Sequence, residues 1–546
     1  MNFHLKTSNK QKKSILSLMV FISAILSFLS QANEIFLFGN PFLGLVSLIP
    51  LFWALKFSSS PRWAGLMLSL FLGITSILQY FWLASFQDYS IWTIGGVTLG
   101  FILFGMFFGP LLFLALEQPS SSSVFLASMI WCVYEFFRSN GFLGFPWGNL
   151  PYPLFRWDAL VQGSEWGGVL WLSFLLASWK NLVVFWLSKP KHDEELGRTA
   201  LALFLVFMVH FAYSAWTTEV IYPQFTKLNI LMIQQNADPW IRDQELRGLQ
   251  TSTNLSKEGL TEHPQTNLVV WSENSIRRPL QFRKFFEENP KDLSLFQLVR
   301  SSQAEWLFGN PYIADSTGTK IFNAALLLDN QSEIRQIYGK THLVPLAEFI
   351  PFFELQPVRD FFRSTVGLQA TWVPGDKIFP LIIRDANKNE LKIGVQICFE
   401  DAFPYISRSL AYQGAKLFIV LTNDSWSKTD SAQNQHFIVS YFRSLETRRP
   451  MARSTNSGFT GVIDHRGRIV AGPLPFFEPG KLYHEISIPT VHPYTPLSIL
   501  WGDWVGWLFW WLTLVFILVK GGAIKPERYS YFAKKLRSFS FFAFGR

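Results

Sequence analysis

Long apolar runs separated by short polar breaks fill the first 217 residues; beyond them the pattern changes. The runs lie near 14–31, 35–56, 63–84, 91–117, 122–138, 165–188 and 199–217, with one more near 497–520. A helix needs about 20 apolar residues to cross a ~30 Å hydrocarbon core. The pattern therefore predicts an integral membrane α-helical bundle of about eight transmembrane helices. The second run holds Gly39, Asn40 and Pro41, which predicts a broken or partly re-entrant segment; the fifth is short. Between 218 and 496 the runs shrink to strand length: "NILMIQQN", "NLVVWSE", "FNAALLLD", "LKIGVQICFE" and "KLFIVLTND". Several end on a polar or acidic residue, and helix-like stretches at 281–301, 403–413 and 431–448 lie between some of them. Strands alternating with helices argue an α/β domain. Three parts are expected: a transmembrane domain over 1–217, a globular domain over 218–496, and a last helix with a basic tail over 497–546.

Composition agrees with lipid contact. Hydrophobic residues make up 49% and charged residues 16%, with 22 Trp and 55 Phe; a soluble enzyme carries about 25% charge. The net charge of +9 gathers at the two ends, in "KTSNKQKK" and "KGGAIKPERYSYFAKKLR", beside apolar runs. Basic flanks of that kind mark the cytoplasmic side and argue against a nucleic-acid partner. Lys56 and Arg62 in the 56–62 turn agree, and the 85–90 loop carries only Asp88. The 189–198 loop, with Lys189, Lys191 and Arg198 but also Asp193, Glu194 and Glu195, votes more weakly. Both termini are thus expected inside and the 218–496 segment outside. The basic start, first apolar run and "SQA" before Asn33 also fit a cleaved signal peptide, and loop charges do not distinguish that from a retained helix.

Cysteine is nearly avoided. Cys132 lies in "SMIWCVYEFF" and reads as a small packed residue. Cys398 ends an apolar run and is followed at once by Phe399, Glu400 and Asp401. Two other stretches carry matching chemistry: "NLVVWSENS" ends its run at Glu273, and "IYGKTHLVPLAEFIPF" carries Lys340 and Glu348. A thiol attacks as thiolate, a carboxylate within hydrogen-bond reach can take its proton, and an ammonium can hold the resulting oxyanion. Taken singly, each residue has an ordinary reading as a solvated carboxylate, a surface lysine or a packed strand residue. The "GKT" is no phosphate loop, because Ile334 stands where its upstream Gly is required. Nine scattered His, with no HExxH or CxxC, give no zinc signature. Arg443, Glu446 and Arg449, spaced by three, read as a salt-linked helix face.

The order Glu273, Lys340, Cys398, with the contexts "YGKTHLVPLAEFIP", "ICFED" and "LTNDSW", resembles the nitrilase superfamily of carbon–nitrogen hydrolases. "QHFIVSYFRSLETRRPMARSTNSGFTGVID" is similar to the helix and strand that follow in that family. Such a domain between the seventh and eighth of eight spans, together with "GFPWGNLPY" at 144–152, resembles the apolipoprotein N-acyltransferases, which complete bacterial lipoprotein maturation. Phe399, Ser272 and "LAEF" depart from the residues common there, namely Tyr, Pro and a Gly before the glutamate.

The resemblance implies an α-β-β-α sandwich on the periplasmic side of the bacterial inner membrane. It implies a phospholipid acyl donor and, as acceptor, an apolipoprotein with an N-terminal diacylglyceryl-cysteine. It implies ping-pong transfer through a thioester on Cys398, with Glu273 as base and Lys340 as oxyanion clamp, and no cofactor or metal. Glu348 is expected to orient Lys340, a backbone N–H near Phe399 to assist with the oxyanion, and Trp426 to be a lid aromatic or simply core. Glu400 either shapes the site or is a structural carboxylate. Two alternatives stand beside this: a membrane-tethered amidase or nitrilase that uses the same three residues with water as acceptor, and a transporter with an extracytoplasmic domain. Intramembrane charge marks transport paths, and apart from Glu135 and Arg138 the runs hold almost none.

Overall fold

The computed structural model describes residues 9–85, 90–118, 120–188, 193–237, 244–366 and 372–520. Lys6 of the basic N-terminal flank, Asp88, Lys189, Lys191 and the basic C-terminal tail beyond Lys520 lie outside the described residues, so the loop-charge argument keeps only some of its anchors there. Among the described residues five helices are long and apolar enough to cross a membrane: Lys10–Ser30, Pro61–Gln79, Ser90–Leu116, Ser164–Ser188 and Glu194–Glu219. The remaining expected spans are shorter or more polar. The second run breaks where Asn40 accepts from the Leu43 amide and Pro41 opens a helix, and it continues as Pro41–Val46 and Ile49–Lys56. Ser120–Ser139 begins on four serines. The last run divides at Gly502 into Leu497–Trp501 and Trp504–Lys520.

Small residues set the closest helix pair. A Cβ on Gly105 would fall 2.5 Å from the Ser69 backbone, and one on Gly109 2.6 Å from that of Ala64 and Gly65. Two glycines four apart lie on one face, so Ser90–Leu116 presses its backbone against Pro61–Gln79, as small-residue pairs do in membranes. The fifth run's two charges are absorbed locally. Glu135 accepts from the Leu150 amide at 3.1 Å, and Arg138 donates to the Trp147 carbonyl and to Asn149 Oδ1. They anchor the 144–152 loop rather than line a path.

The described residues of the α/β domain form twelve strands. In chain order these are β1 (Gln224–Gln234), β2 (Leu268–Trp271), β3 (Glu305–Ile313), β4 (Ile321–Leu328), β5 (Ile334–Gly339) and β6 (Leu381–Arg384). They continue as β7 (Glu390–Ile397), β8 (Leu417–Thr422), β9 (Met451–Thr455), β10 (Gly461–Ile463), β11 (Ile469–Ala471) and β12 (Gly480–Val491). Two 6-stranded sheets result, ordered β12-β1-β2-β3-β4-β5 and β11-β10-β9-β8-β7-β6. Alternation along each strand divides the core. Leu228, Ile230 and Met232 of β1 and Ile393, Val395 and Ile397 of β7 all enter the layer between the sheets, while Leu231 and Ile233 turn outward beneath helix Gln244–Glu262.

The second sheet's outer face is covered by helices Pro404–Tyr412 and Asp430–Thr447, and there the core runs on into the membrane bundle without a break. Polar ties cross the same junction. Arg448 donates to Glu165 at 2.7 Å, the Val169 amide to Glu446 at 3.2 Å, and Arg408 pairs with Asp503 at 2.8 Å. The α-β-β-α sandwich is therefore welded to the bundle through one of its helix layers.

Two expectations need correction. The stretch 281–301 is not one helix but two, Arg283–Glu288 and Leu295–Ser301, because Pro290 lacks an amide donor and constrains Asn289 before it. The salt-linked face holds only for Arg443 and Glu446, 3.1 Å apart. The helix ends at Thr447, Arg448 takes a left-handed φ of 56°, and Arg449 turns away to the Ala415 carbonyl.

Candidate active site

Parallel strands β2, β7 and β8 end together, and the chemistry gathers beyond those ends. Glu273 follows β2, Cys398 follows β7 and Asn423 follows β8. Lys340 leaves β5, and its own amide donates to the Asn323 carbonyl on β4 at 2.8 Å. Gly309 on β3 permits this crowding, since a Cβ there would meet the Glu273 backbone at 2.5 Å.

The three predicted groups and Glu348 come together. Lys340 Nζ lies 3.2 Å from Glu273 Oε1 and 2.9 Å from Glu348 Oε2, and its side chain is fully buried. Asn323 Nδ2 donates to Glu273 Oε1 at 2.8 Å and to Glu348 Oε1 at 3.1 Å. The Asn423 amide donates to Glu273 Oε2 at 3.1 Å, and the Val344 amide holds Glu348 Oε2 at 2.8 Å. Burial draws the Lys340 ammonium down, but Glu273 and Glu348 outweigh it and keep it charged. Burial lifts the Glu273 carboxyl above its ordinary range, Lys340 opposes that, and Glu348 adds to it. A carboxylate with raised affinity for a proton beside a fixed cation is suited to accept one.

Cys398 sits at the start of a 3₁₀ turn, Cys398–Ala402, with φ of 51°. A non-glycine residue in that region costs about 1–3 kcal/mol and needs surrounding structure to hold it. Burial pushes the thiol well up, the Glu273 charge adds to this, and Lys340 and a hydrogen bond from Thr422 draw it down. The resting sulfur is therefore a thiol, and attack requires a base.

Glu400 supplies much of the hold on the strained turn. Its Oε1 accepts from the Thr341 amide at 2.7 Å, the Thr341 hydroxyl at 2.7 Å and the Tyr338 hydroxyl at 2.9 Å. Its Oε2 accepts from the Ile397 amide at 2.9 Å. One buried carboxylate thus ties the cysteine turn to the lysine loop, a structural role that also shapes the site. Phe399 stacks on Trp147 of the 144–152 loop, ring centroids 5.5 Å apart at 16°. Trp426, on the turn Ser425–Ser427, packs 5.5 Å from Trp82 at the end of the third span. Both aromatic contacts join the α/β domain to the bundle.

Sequence reasoning missed Asn323, Asn423, Thr422 and a buried charge cluster. His436 Nε2 lies 2.8 Å from Asp401, and its Nδ1 lies 2.8 Å from Asp424. Burial opposes its protonation, but the two carboxylates win and raise its imidazole to about 10. That imidazolium links the 398–402 turn to the loop after β8. Arg453 also donates to Asp401. The available signal was a polar residue inside an apolar run: Asn323 in "FNAALLLD" and His436 in "QHFIVSYF".

A two-sheet α/β domain with a buried Glu–Lys–Cys constellation beyond its strand ends defines a nitrilase-like, carbon–nitrogen hydrolase domain. The sequence model described as "Carbon-nitrogen hydrolase" matches residues 232–495, and that of the "Apolipoprotein N-acyltransferase N-terminal domain" matches 23–182. "Apolipoprotein N-acyltransferase 2" of Treponema denticola is 33% identical over 485 residues, covering 86% of this chain and 91% of that protein. "Apolipoprotein N-acyltransferase" of Borreliella burgdorferi is 31% identical over 471 residues, covering 85% and 88%. The chain belongs to the apolipoprotein N-acyltransferase family; it is an acyltransferase and a membrane protein.

Proposed function

We propose that the protein transfers an acyl chain from a membrane phospholipid to the α-amine of a diacylglyceryl-cysteine at the N-terminus of an apolipoprotein, in two half-reactions. In the first, Cys398 attacks the ester carbonyl. Glu273 takes the thiol proton and returns it to the departing alkoxide, so the C–O bond breaks, a lysophospholipid leaves and a thioester remains. In the second, the neutral amine attacks the thioester, Glu273 accepts its proton, the C–S bond breaks and the thiol is restored. Lys340, with a backbone N–H near Phe399, holds the oxyanion in both steps. Glu348 orients Lys340. The observation that carries this reading is the contact of Lys340 with both Glu273 and Glu348 beside Cys398.

The membrane part has a physical purpose in this scheme. Drawing an acyl chain into water costs about 0.8 kcal/mol per CH₂, and a site packed against the bundle through Phe399 and Trp147 avoids that. The domain then faces the periplasm from the inner membrane, both termini are cytoplasmic, and the functional division falls at 217 and 496, as the loop charges argue.

The distinguishing experiment supplies a defined phospholipid with and without a diacylated peptide amine. Transfer predicts amide product, parallel double-reciprocal lines and little free fatty acid without the peptide. Rapid fatty-acid release that ignores the peptide would instead identify a hydrolase. The pH profile is a second expected result. Glu273 must be ionised to act, and its carboxyl is raised, so kcat/KM should fall as pH drops through a value above the usual ~4.3. Glu348→Gln removes a neighbouring negative charge and should move that acid limb to lower pH. A limb that stays put would remove Glu273 as the titrating base.

A further inference from the structure

A second polar centre lies at the opposite end of the second sheet from Cys398. Strands β7, β8 and β9 run parallel, and Cys398 follows one of them. Lys416 precedes β8, and Arg448 and Arg449 precede β9, so all three sit at the other end. His465 joins them, because β10 runs antiparallel and Ile463 pairs with Met451. Five strand residues at ~3.3 Å each separate the two ends by roughly 17 Å. Tyr222, just after helix Glu194–Glu219, and His492, just before Leu497–Trp501, complete the cluster from the two connections to the membrane helices.

The Tyr222 ring lies 4.4 Å from that of His465 and 5.7 Å from that of His492. Arg449 Nη1 meets His492 Nδ1 at 3.2 Å. A guanidinium only donates, so Nδ1 accepts and the proton is on Nε2. That N–H is buried and has no partner. Both ring nitrogens of His465, a residue 8% exposed, are likewise buried and unpartnered, as is Nε of Arg466. Arg449 gives its other bonds to the carbonyls of Ala415 and Thr447, and Arg466 bonds the Val220 carbonyl. Among the described residues neither guanidinium has a carboxylate within ion-pair distance. Arg448 differs, being matched by Glu165. Asp464, the nearest acid in sequence, accepts the backbone amides of Arg466 and Arg468.

Among the described residues the cluster therefore offers unpartnered nitrogens on His492, His465 and Arg466 and two guanidiniums without an ion-pair partner, while the Glu165 carboxylate, which also acts on Tyr222, is held by Arg448. Burial, with Arg449, Lys416 and His465, pushes the His492 imidazole down to about 3; burial, with Arg466, Arg448 and Arg468, does the same to His465. Uncompensated buried cations are costly, and an anion of the right size removes the cost.

We infer that this cluster binds a phosphate group through His492 Nε2–H, an imidazole N–H of His465, Arg466 Nε–H and the Tyr222 hydroxyl, in the field of Arg449. The shared chemistry is a tetrahedral phosphate oxyanion. Two sources carry it: the free ion, and a phospholipid headgroup, which the nearby stack of Trp216 on Tyr494, 5.7 Å apart, would place beside aromatic residues suited to a membrane–water boundary. The site is separate from the acyl-transfer site and does not depend on its mechanism.

The test uses the full chain in a neutral maltoside micelle. Its unfolding temperature is followed during titration with inorganic phosphate and, in parallel, with dihexanoyl phosphatidylglycerol, at fixed ionic strength. At least one probe should raise the wild-type temperature by several degrees, with chloride at equal ionic strength giving no such rise. A response to both assigns recognition to the phosphate alone, to the lipid only a headgroup site, and to the ion only a free-anion site. His465→Gln with His492→Gln should weaken half-saturation about tenfold or more. Arg466→Gln, at the half-buried rim, is the milder variant and should weaken it in the same direction. No rise in the wild type from either probe, a matching rise with chloride, or equal affinity in the variants overturns the assignment.

Discussion

Replacing Cys398 with alanine should abolish acyl transfer, by about 10⁴-fold or more, while leaving a folded, membrane-inserted protein. The two carboxylates beside the thiol, Glu273 and Glu348, are both committed to Lys340 and Asn323 and do not replace it. The backbone should not object. The φ of 51° is as strained for alanine as for cysteine, and the turn is held by Glu400 through the Ile397 amide and Thr341, not by the sulfur. Loss of one small side chain at a partly exposed position should change stability by no more than about 1 kcal/mol. Labelled acyl transfer to a peptide amine, measured beside a melting curve, checks both halves. Substantial transfer by the alanine variant would remove Cys398 from the mechanism.

The second large effect is expected from Lys340→Met, which keeps the aliphatic stem and deletes the charge. Losing one oxyanion donor costs ~10²–10³ in rate, but more is lost here. Glu273 and Glu348 share the same Asn323 donor, and without the ammonium between them they cannot both stay ionised in a buried site. Glu273, the more buried of the two and already raised by Glu348, takes the proton, so the base is disabled together with the clamp. Activity should fall about 10³-fold or more. Stability should fall by about 3–5 kcal/mol where both carboxylates are forced to ionise. The sign follows from proton binding. The folded variant holds a proton that the unfolded chain releases at ordinary carboxylate pKa, so its stability declines as pH rises. A variant equally stable at pH 5 and pH 8, or one that retains most activity, would contradict this account of the lysine.

What the sequence made legible follows from local pattern. Glu273 and Cys398 each close an apolar run, and residues just past a strand are where an α/β fold gathers its chemistry; Lys340 follows the polar strand IRQIYG and was picked out by its wider context. The membrane helices were visible because about 20 apolar residues leave few other readings. What stayed hidden depends on long-range partners. Asn323 looks like an ordinary strand residue until β4 sets it beside both glutamates. His436 looks like one polar position on a helix, yet it meets Asp401 and Asp424, 35 and 12 positions away. Trp147 and Phe399 lie on different parts of the chain and meet only because the sandwich docks on the bundle. Strand β12 escaped because it pairs at the sheet's edge, where His484 and Glu485 interrupt the apolar signal. Arg449 was grouped with Arg443 and Glu446 on helical spacing, but spacing does not reveal where a helix stops.

The central claim is that the acyl chain rests on Cys398 between donor and acceptor. Mass spectrometry of the full chain, after incubation with a defined phospholipid and no acceptor, tests it most directly. The account predicts a mass gain of one acyl chain on the peptide that bears Cys398, removable by neutral hydroxylamine as a thioester and discharged on adding a diacylated peptide amine. An acyl group found on any other residue, or no adduct while the acceptor-dependent reaction still runs, would contradict it.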